Sequence, residues 1–227
     1  MTSETLQFRI ATPDDAAQIQ NLIQSAFRAE DTRDRWIGSP ELASQFHISV
    51  DEVLASITKP DAAVLVATDP STGAAVASVE AHRRTGGVAR LSMLAVDSAR
   101  QRGGMGRRVL AHAEDYCRVN WGTRRLGLNA LSTRDALISW YVRCGFRRTG
   151  ETSAFPRERF PGRDMPEDLC FVELEKDLDA EEKEEEEGGR GVKPVHAREG
   201  VSRASGSNVA GTFLGIISHA ANDEGQH

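Results

Sequence analysis

From Val88 to Leu131 the chain runs through an alternating segment, VARLSMLAV, then a bend with three glycines and clustered arginines, DSARQRGGMGRR. A helical run and a second strand-like segment, RRLGLNAL, follow. Strand, helix and strand in that order imply two parallel strands joined by a right-handed crossover, with the helix packed on the sheet. Val109, Leu110, Ala113 and Cys117 recur at helical spacing, so the helix that begins at Gly104 turns one apolar stripe towards that sheet. The bend itself gathers backbone N–H groups and positive charge at a helix start, a combination suited to a phosphate-bearing ligand.

The segments on either side extend this unit. LQFRIA reads as a short strand, and Thr12, Pro13, Asp14 and Asp15 read as the cap and first turn of a helix whose buried face is Ala16, Ile19, Leu22, Ile23 and Phe27. A charged loop, RAEDTRDRWIGSPE, leads to a second helix ending in VDEVLASIT. AVLVATD and AAVASVEAH form a hairpin around PSTG, and RTGG turns the chain into VARLSMLAV, which completes an antiparallel meander. After RRLGLNAL, Ser132 or Thr133 is expected to cap the helix RDALISWYVRC, with Gly145 ending it in the left-handed conformation. FRRTGETSAF and LCFVELEKDL then pair around a long loop. The fold class is α/β (α+β): a mixed, mostly antiparallel sheet of about seven strands with helices on both faces.

Charge divides the chain. Of 34 acidic and 28 basic residues, ten acids and five bases lie from Asp179 onward, which leaves 24 and 23 ahead of them. A near-neutral folded part argues against nucleic acid as a partner. Residues 1–178 therefore read as one domain, and residues 179–227, acidic and then rich in Gly, Ser and Arg, as a solvated tail with too little apolar surface to order itself. No run of about 18 apolar residues marks a membrane span, and no basic leader precedes an apolar stretch. Three cysteines without CxxC spacing suggest reduced thiols, a cytoplasmic or nuclear setting and no metal site. Oligomeric state is not legible.

The phosphate ligand is narrowed by spacing. No Lys-Ser or Lys-Thr follows the glycines, as a triphosphate P-loop requires, and a dinucleotide fingerprint opened at Gly104 and Gly106 meets Val109 at its third glycine position. The pattern present is Q/R-x-x-G-x-G, over Gln101, Arg102, Gly103, Gly104, Met105 and Gly106. Amides from 102 to 107 form an anion nest backed by the helix dipole, Gly104 and Gly106 leave room for close approach, and Arg100, Arg102, Arg107 and Arg108 add positive field. About 35 residues later comes RDALISWYVRCGF. Together these two segments resemble the GNAT superfamily of N-acetyltransferases, the second through Tyr141, Gly145 and Phe146.

The resemblance spans residues 5 to 178 and implies acetyl-CoA as acyl donor, a central βαβ site, and transfer to an amine by direct attack in a ternary complex. It implies that the bend holds the pyrophosphate. It implies that MLAV splays at a bulge, so that Leu94, Ala95 and Val96 meet the pantetheine and N–H groups near Leu94 and Ala95 polarise the thioester. Tyr141 would protonate the departing thiolate. Two departures bear on contacts from the later helix: Arg134 stands where many members have asparagine, and Leu137 where many have alanine. Asn129 occupies the strand position of a glutamate base in ribosomal-protein N-terminal acetyltransferases, which turns the reading towards a small-molecule amine. A protein or peptide amine, or a non-catalytic acyl-CoA sensor, are the alternatives. For the base, Glu80 comes first, with burial expected to raise its pKa; His82 comes second, and water third. Glu30, Asp31, Asp34, Trp36, Phe155, Arg157, Arg159, Phe160 and Arg163 mark the loops that would select the acceptor.

Overall fold

The computed structural model describes residues 6–29, 43, 46–101, 103–159 and 165–179. Arg102, most of the first charged loop with Glu30, Asp31, Asp34 and Trp36, Phe160 and Arg163, and the tail from residue 180 lie outside the described residues, as do the expectations attached to them.

Seven strands form one sheet in the order β1-β2-β3-β4-β5-β7-β6. They are β1 (Gln7–Ile10), β2 (Ala62–Thr68), β3 (Ala75–Arg84), β4 (Val88–Val96), β5 (Arg125–Leu131), β6 (Arg147–Ala154) and β7 (Cys170–Asp177). Among the described residues only β4 and β5 run parallel, joined through α3 (Met105–Trp121), as the sequence implies. α1 (Ala16–Arg28) and α2 (Val50–Thr58) cover one face, packing Ile19, Ile23, Ile48 and Val53 on Val64, Val66, Met93 and Ala95. The opposite face carries α3 and α4 (Asp135–Arg143), with Val109, Leu110, Cys117 and Ile138 over Leu65, Val79, Leu91, Leu126 and Leu174. Successive side chains on a strand point to opposite faces, so the continuous apolar run of β2 serves both layers.

Helix ends follow local chemistry, with one departure from expectation. At the first helix Thr12 holds the N-cap position with Pro13 after it, as expected, and the Asp15 carboxylate closes the turn. It accepts from the Thr12 N–H at 2.8 Å and from Arg9 at 2.7 Å, and a 3-10 turn over Pro13–Asp15 precedes the α-helix. At α4 neither Ser132 nor Thr133 caps. Arg134 holds the N-cap position, Ser132 Oγ accepts from the Cys170 N–H of β7, and Thr133 Oγ1 is buried with no hydrogen-bond partner among the described residues. The Ser132 hydroxyl was claimed by a tertiary neighbour that local spacing does not reveal. Gly145 does follow α4 with φ of 95°, as expected. Among the described residues no helix is long and apolar enough to cross a membrane. The cysteines are free; Cys117 is fully buried in the core.

Candidate active site

The centre of the sheet is opened by one residue. On one side of the irregularity Glu80 faces Ser92, and on the other Ser78 faces Ala95, so β4 spends one residue more than β3 across that interval. Met93 adopts a positive φ of 49° there, which is a β-bulge. The bulge reverses the strand's phase: Ala89 and Leu91 belong to the cluster under α3 and α4, Met93 and Ala95 to the cluster under α1 and α2, and Leu94 and Val96 return to the first. On the other side, β4 pairs with β5 only from Val88 to Arg90. Beyond Arg90 the edge of β4 that faces β5 has no ladder partner among the described residues, so Leu94, Ala95 and Val96 border a wedge between the parallel strands. Backbone polar groups left out of a ladder require another partner, and the wedge offers them to a ligand.

The wedge leads to the glycine bend. Asp97 Oδ1 accepts from the Ala99 N–H at 3.0 Å at the start of a 3-10 turn over Ser98–Arg100, and Gln101 Nε2 donates to the Val96 carbonyl at 3.3 Å. Gly104 is the N-cap of α3 with φ of 77°, and a Cβ placed there would meet no atom within 4 Å. Met105 is buried and pins the first turn to the core. First-turn N–H groups have no intrahelical acceptor, so an open left-handed glycine beside them, with exposed Gly103 ahead of it, fits a diphosphate. Gly106 is different: a Cβ on it would stand 3.1 Å from the Trp140 indole, so this glycine makes room for a side chain of α4.

The arginines are also differently employed than expected. Arg100 is paired with Asp69, Arg107 donates to the Arg143 carbonyl at 3.3 Å, and Arg108 lies over the Phe8 ring with its guanidinium carbon 5.8 Å from the centroid. Each of these guanidinium groups thus has a partner within the protein.

Tyr141 is buried in the α3/α4 cluster, against which Leu94 and Val96 pack, and it meets Phe146 edge-on at 5.9 Å between ring centroids. Burial pushes its phenol up to about 12, against a downward pull from the Arg134 charge and with a small push from Cys144. The hydroxyl therefore holds its proton across the working range of an enzyme.

Glu80 lies on the other face of the sheet, under α1 and α2 beside Ser56, Ser78 and Met93, so the two candidate catalytic residues flank the wedge from opposite sides. Its Oε1 meets His82 Nε2 at 2.6 Å and its Oε2 accepts from Ser92 Oγ at 3.0 Å. The expected upward pKa shift is corrected. Burial does push the carboxyl up, but hydrogen bonds and charge from His82, with Ser56 and Ser92, outweigh it and hold Glu80 below its ordinary value.

The polar row continues across β5. Glu173 of β7, buried and absent from the sequence reading, accepts from Arg90 at 2.7 Å, from Ser153 at 2.7 Å and from Asn129 at 3.3 Å. Gly127 lies beneath it, its missing Cβ 3.7 Å from the Arg90 guanidinium. Alternation in CFVELEK places Glu173 opposite Leu174, the one signal in the sequence that could have separated it from the core. Asn129 is thus a partner of a carboxylate. In the loop expected to select the acceptor, Phe155 packs on Phe171 and Arg157 donates to the Glu167 carbonyl at 2.8 Å.

The sequence matches the family model for the acetyltransferase (GNAT) family over residues 18–146. The chain belongs to that family. Solved structures share its fold: the ribosomal-protein-S18-alanine N-acetyltransferase from Escherichia coli has a TM-score of 0.58 at 18% identity, covering 77% of this chain and 94% of that one. The yncA protein of Salmonella typhimurium, assigned as an acetyltransferase and solved with acetyl-CoA, has a TM-score of 0.55 at 20% identity, covering 77% and 95%. The spermidine/spermine N-acetyltransferase SpeG from Vibrio cholerae has a TM-score of 0.55 at 15% identity, covering 78% and 95%. No curated protein matches the chain.

Proposed function

We propose that this protein transfers an acetyl group from acetyl-CoA to the amine of a small molecule, by direct attack within a ternary complex, in the cytoplasm. The observation that carries the reading is the unpaired edge of β4 beyond Arg90 leading into the open glycine start of α3. The strand edge then serves a thioester arm and the helix start a diphosphate. Acetyl-CoA, when bound, supplies the activated acyl group. N–H groups near Leu94 and Ala95 polarise the acyl oxygen, each worth about 3 kcal/mol in the transition state. Gln101, Gly103, Gly104, Met105 and Arg107 hold the diphosphate region through the backbone, with Arg134 and Val96 bordering the arm. Tyr141 keeps its proton and gives it to the departing sulfur.

On the acceptor side Glu80, held below its ordinary value, is ionised at neutral pH and takes the ammonium proton, with His82 Nε2 2.6 Å from its Oε1. Asn129, already bonded to Glu173, supplies no base, which supports a small-molecule acceptor over a protein N-terminus. Free cysteines support the reducing compartment. The test is thiol release from acetyl-CoA in the presence of small primary amines, amino acids and peptides. Turnover with a small amine is the expected result. Turnover confined to peptides removes the small-molecule assignment, and acetyl-CoA binding without turnover on any amine marks the chain as a sensor.

A further inference from the structure

The hairpin turn after β2 belongs to no motif in the sequence, yet it reaches the glycine bend. Asp69, 3% exposed, closes β2. Its Oδ1 accepts from the Ser71 N–H at 2.9 Å and from Ser71 Oγ at 2.6 Å, and its Oδ2 accepts from the Arg100 guanidinium. The turn is itself closed by the backbone, with Gly73 N–H donating to the Asp69 carbonyl at 2.8 Å and Asp69 N–H to Ala74 at 2.9 Å. Arg100 ends the 3-10 turn that delivers the chain to Gln101 and the glycines. A second tie runs alongside, from the Asp97 N–H to the Val76 carbonyl at 2.9 Å.

We propose that Asp69 is a positioning residue for acetyl-CoA: by holding Arg100 it fixes the entry of the bend and hence the direction in which the amides at the start of α3 point. This rests on the assignment of that bend to the diphosphate. The physical reason is angular. An N–H···O bond weakens steeply once it departs from linearity, and a glycine-rich bend has little stiffness of its own to keep several N–H groups aimed at one anion. A charge-assisted tie to a side chain that is buried and immobilised by its own turn supplies that stiffness. The Ser71 hydroxyl and N–H, with Arg100 behind them, hold the Asp69 carboxyl below its usual range, so the tie is ionic at neutral pH. Arg100, so held, is directed at the hairpin, and the bend's approach is set by the protein before any ligand arrives.

Calorimetric titration of the full chain with acetyl-CoA and with S-acetylpantetheine, which has the same thioester arm but no diphosphate, tests this. Asp69→Asn keeps an acceptor for the Ser71 N–H and removes the charge. It is expected to weaken acetyl-CoA binding about tenfold, as loss of one charged hydrogen bond does, with S-acetylpantetheine and the melting temperature little changed. Arg100→Gln should do the same, and the double variant should be no weaker than either. Unchanged or tighter acetyl-CoA binding in Asp69→Asn would overturn the proposal, since Arg100 would then serve the phosphates better when released. Equal loss on both ligands with a large fall in melting temperature would overturn it too, by showing general damage. If the wild-type chain prefers neither ligand, the diphosphate assignment fails and takes the proposal with it; a wild-type preference that Asp69→Asn leaves intact sinks the positioning role alone.

Discussion

The two faces of the sheet build their shares of the site from different materials. On the α3/α4 face the groups proposed to work are backbone amides and one phenol set in an apolar cluster, and what matters is where the main chain bends: at Met93, at Gly104, and along the edge of β4 that has no ladder partner among the described residues. On the α1/α2 face they are charged side chains, Glu80 with His82 and Ser92, then Arg90 with Glu173, Asn129 and Ser153. A site made of backbone tolerates much change of side chain and is broken by changes of conformation. A site made of buried charges is broken by removing any one partner.

Four experiments press on this contrast. Tyr141→Phe should produce the largest effect, lowering kcat by roughly 10²- to 10⁴-fold as loss of a general acid does, while calorimetry shows acetyl-CoA affinity little altered. Unchanged turnover would leave the α3/α4 face with no chemistry of its own. Glu173→Ala strands Arg90 in a buried position and should cost about 3–5 kcal/mol in denaturant unfolding, with acetyl-CoA affinity retained in the folded fraction. A loss under 1 kcal/mol would mean that the charges on that face act independently. Gly104→Glu puts a like charge beside the anion position where nothing obstructs a side chain. Affinity for acetyl-CoA should fall about a hundredfold, roughly 2.7 kcal/mol, with the fold kept at a cost of about 1 kcal/mol for a side chain on left-handed backbone.

The last effect vanishes at neutral pH. Tyr141 ionises in the unfolded chain near its ordinary value of 10 but in the folded protein at about 12, so its contribution to stability is complete below pH 10 and is lost as pH rises through that window. Cys117, pushed up to about 12 by burial, acts in the same sense from its ordinary value of 9. Tyr141→Phe should therefore flatten the alkaline fall in melting temperature without abolishing it.

The contrast also explains what could be read beforehand. Features written in local spacing were legible: the meander, the crossover from Val88 to Leu131, the apolar stripe of α3, and the positions of Gly104, Tyr141 and Gly145. The bulge is invisible to periodicity, because buried and half-buried residues alternate through β4 without interruption while the face they bury against changes. The partners of the arginines of the bend were hidden for a related reason. Composition shows that positive charge is present, but Arg100, Arg107 and Arg108 find Asp69, the end of α4 and Phe8 only in three dimensions. Glu80 was placed correctly as a buried carboxylate and given the wrong pKa direction, since the sequence shows the burial and hides the bond to His82 above all, and then Ser56 and Ser92. Glu173 was missed because its partners come from three other strands.

The extra residue near Met93 carries a consequence for how such a cleft arises. Since the strand already sends Ala89 and Leu91 to one side and Leu94 and Val96 to that same side, removing position 93 would restore an even zigzag and leave every remaining neighbour facing where it does now. An even strand and one that changes face thus differ by a single codon's insertion, which also places one more side chain, Met93, in the α1/α2 layer. A deletion at that codon should restore an even β3–β4 ladder and lower stability by about 2–5 kcal/mol through the space Met93 leaves behind.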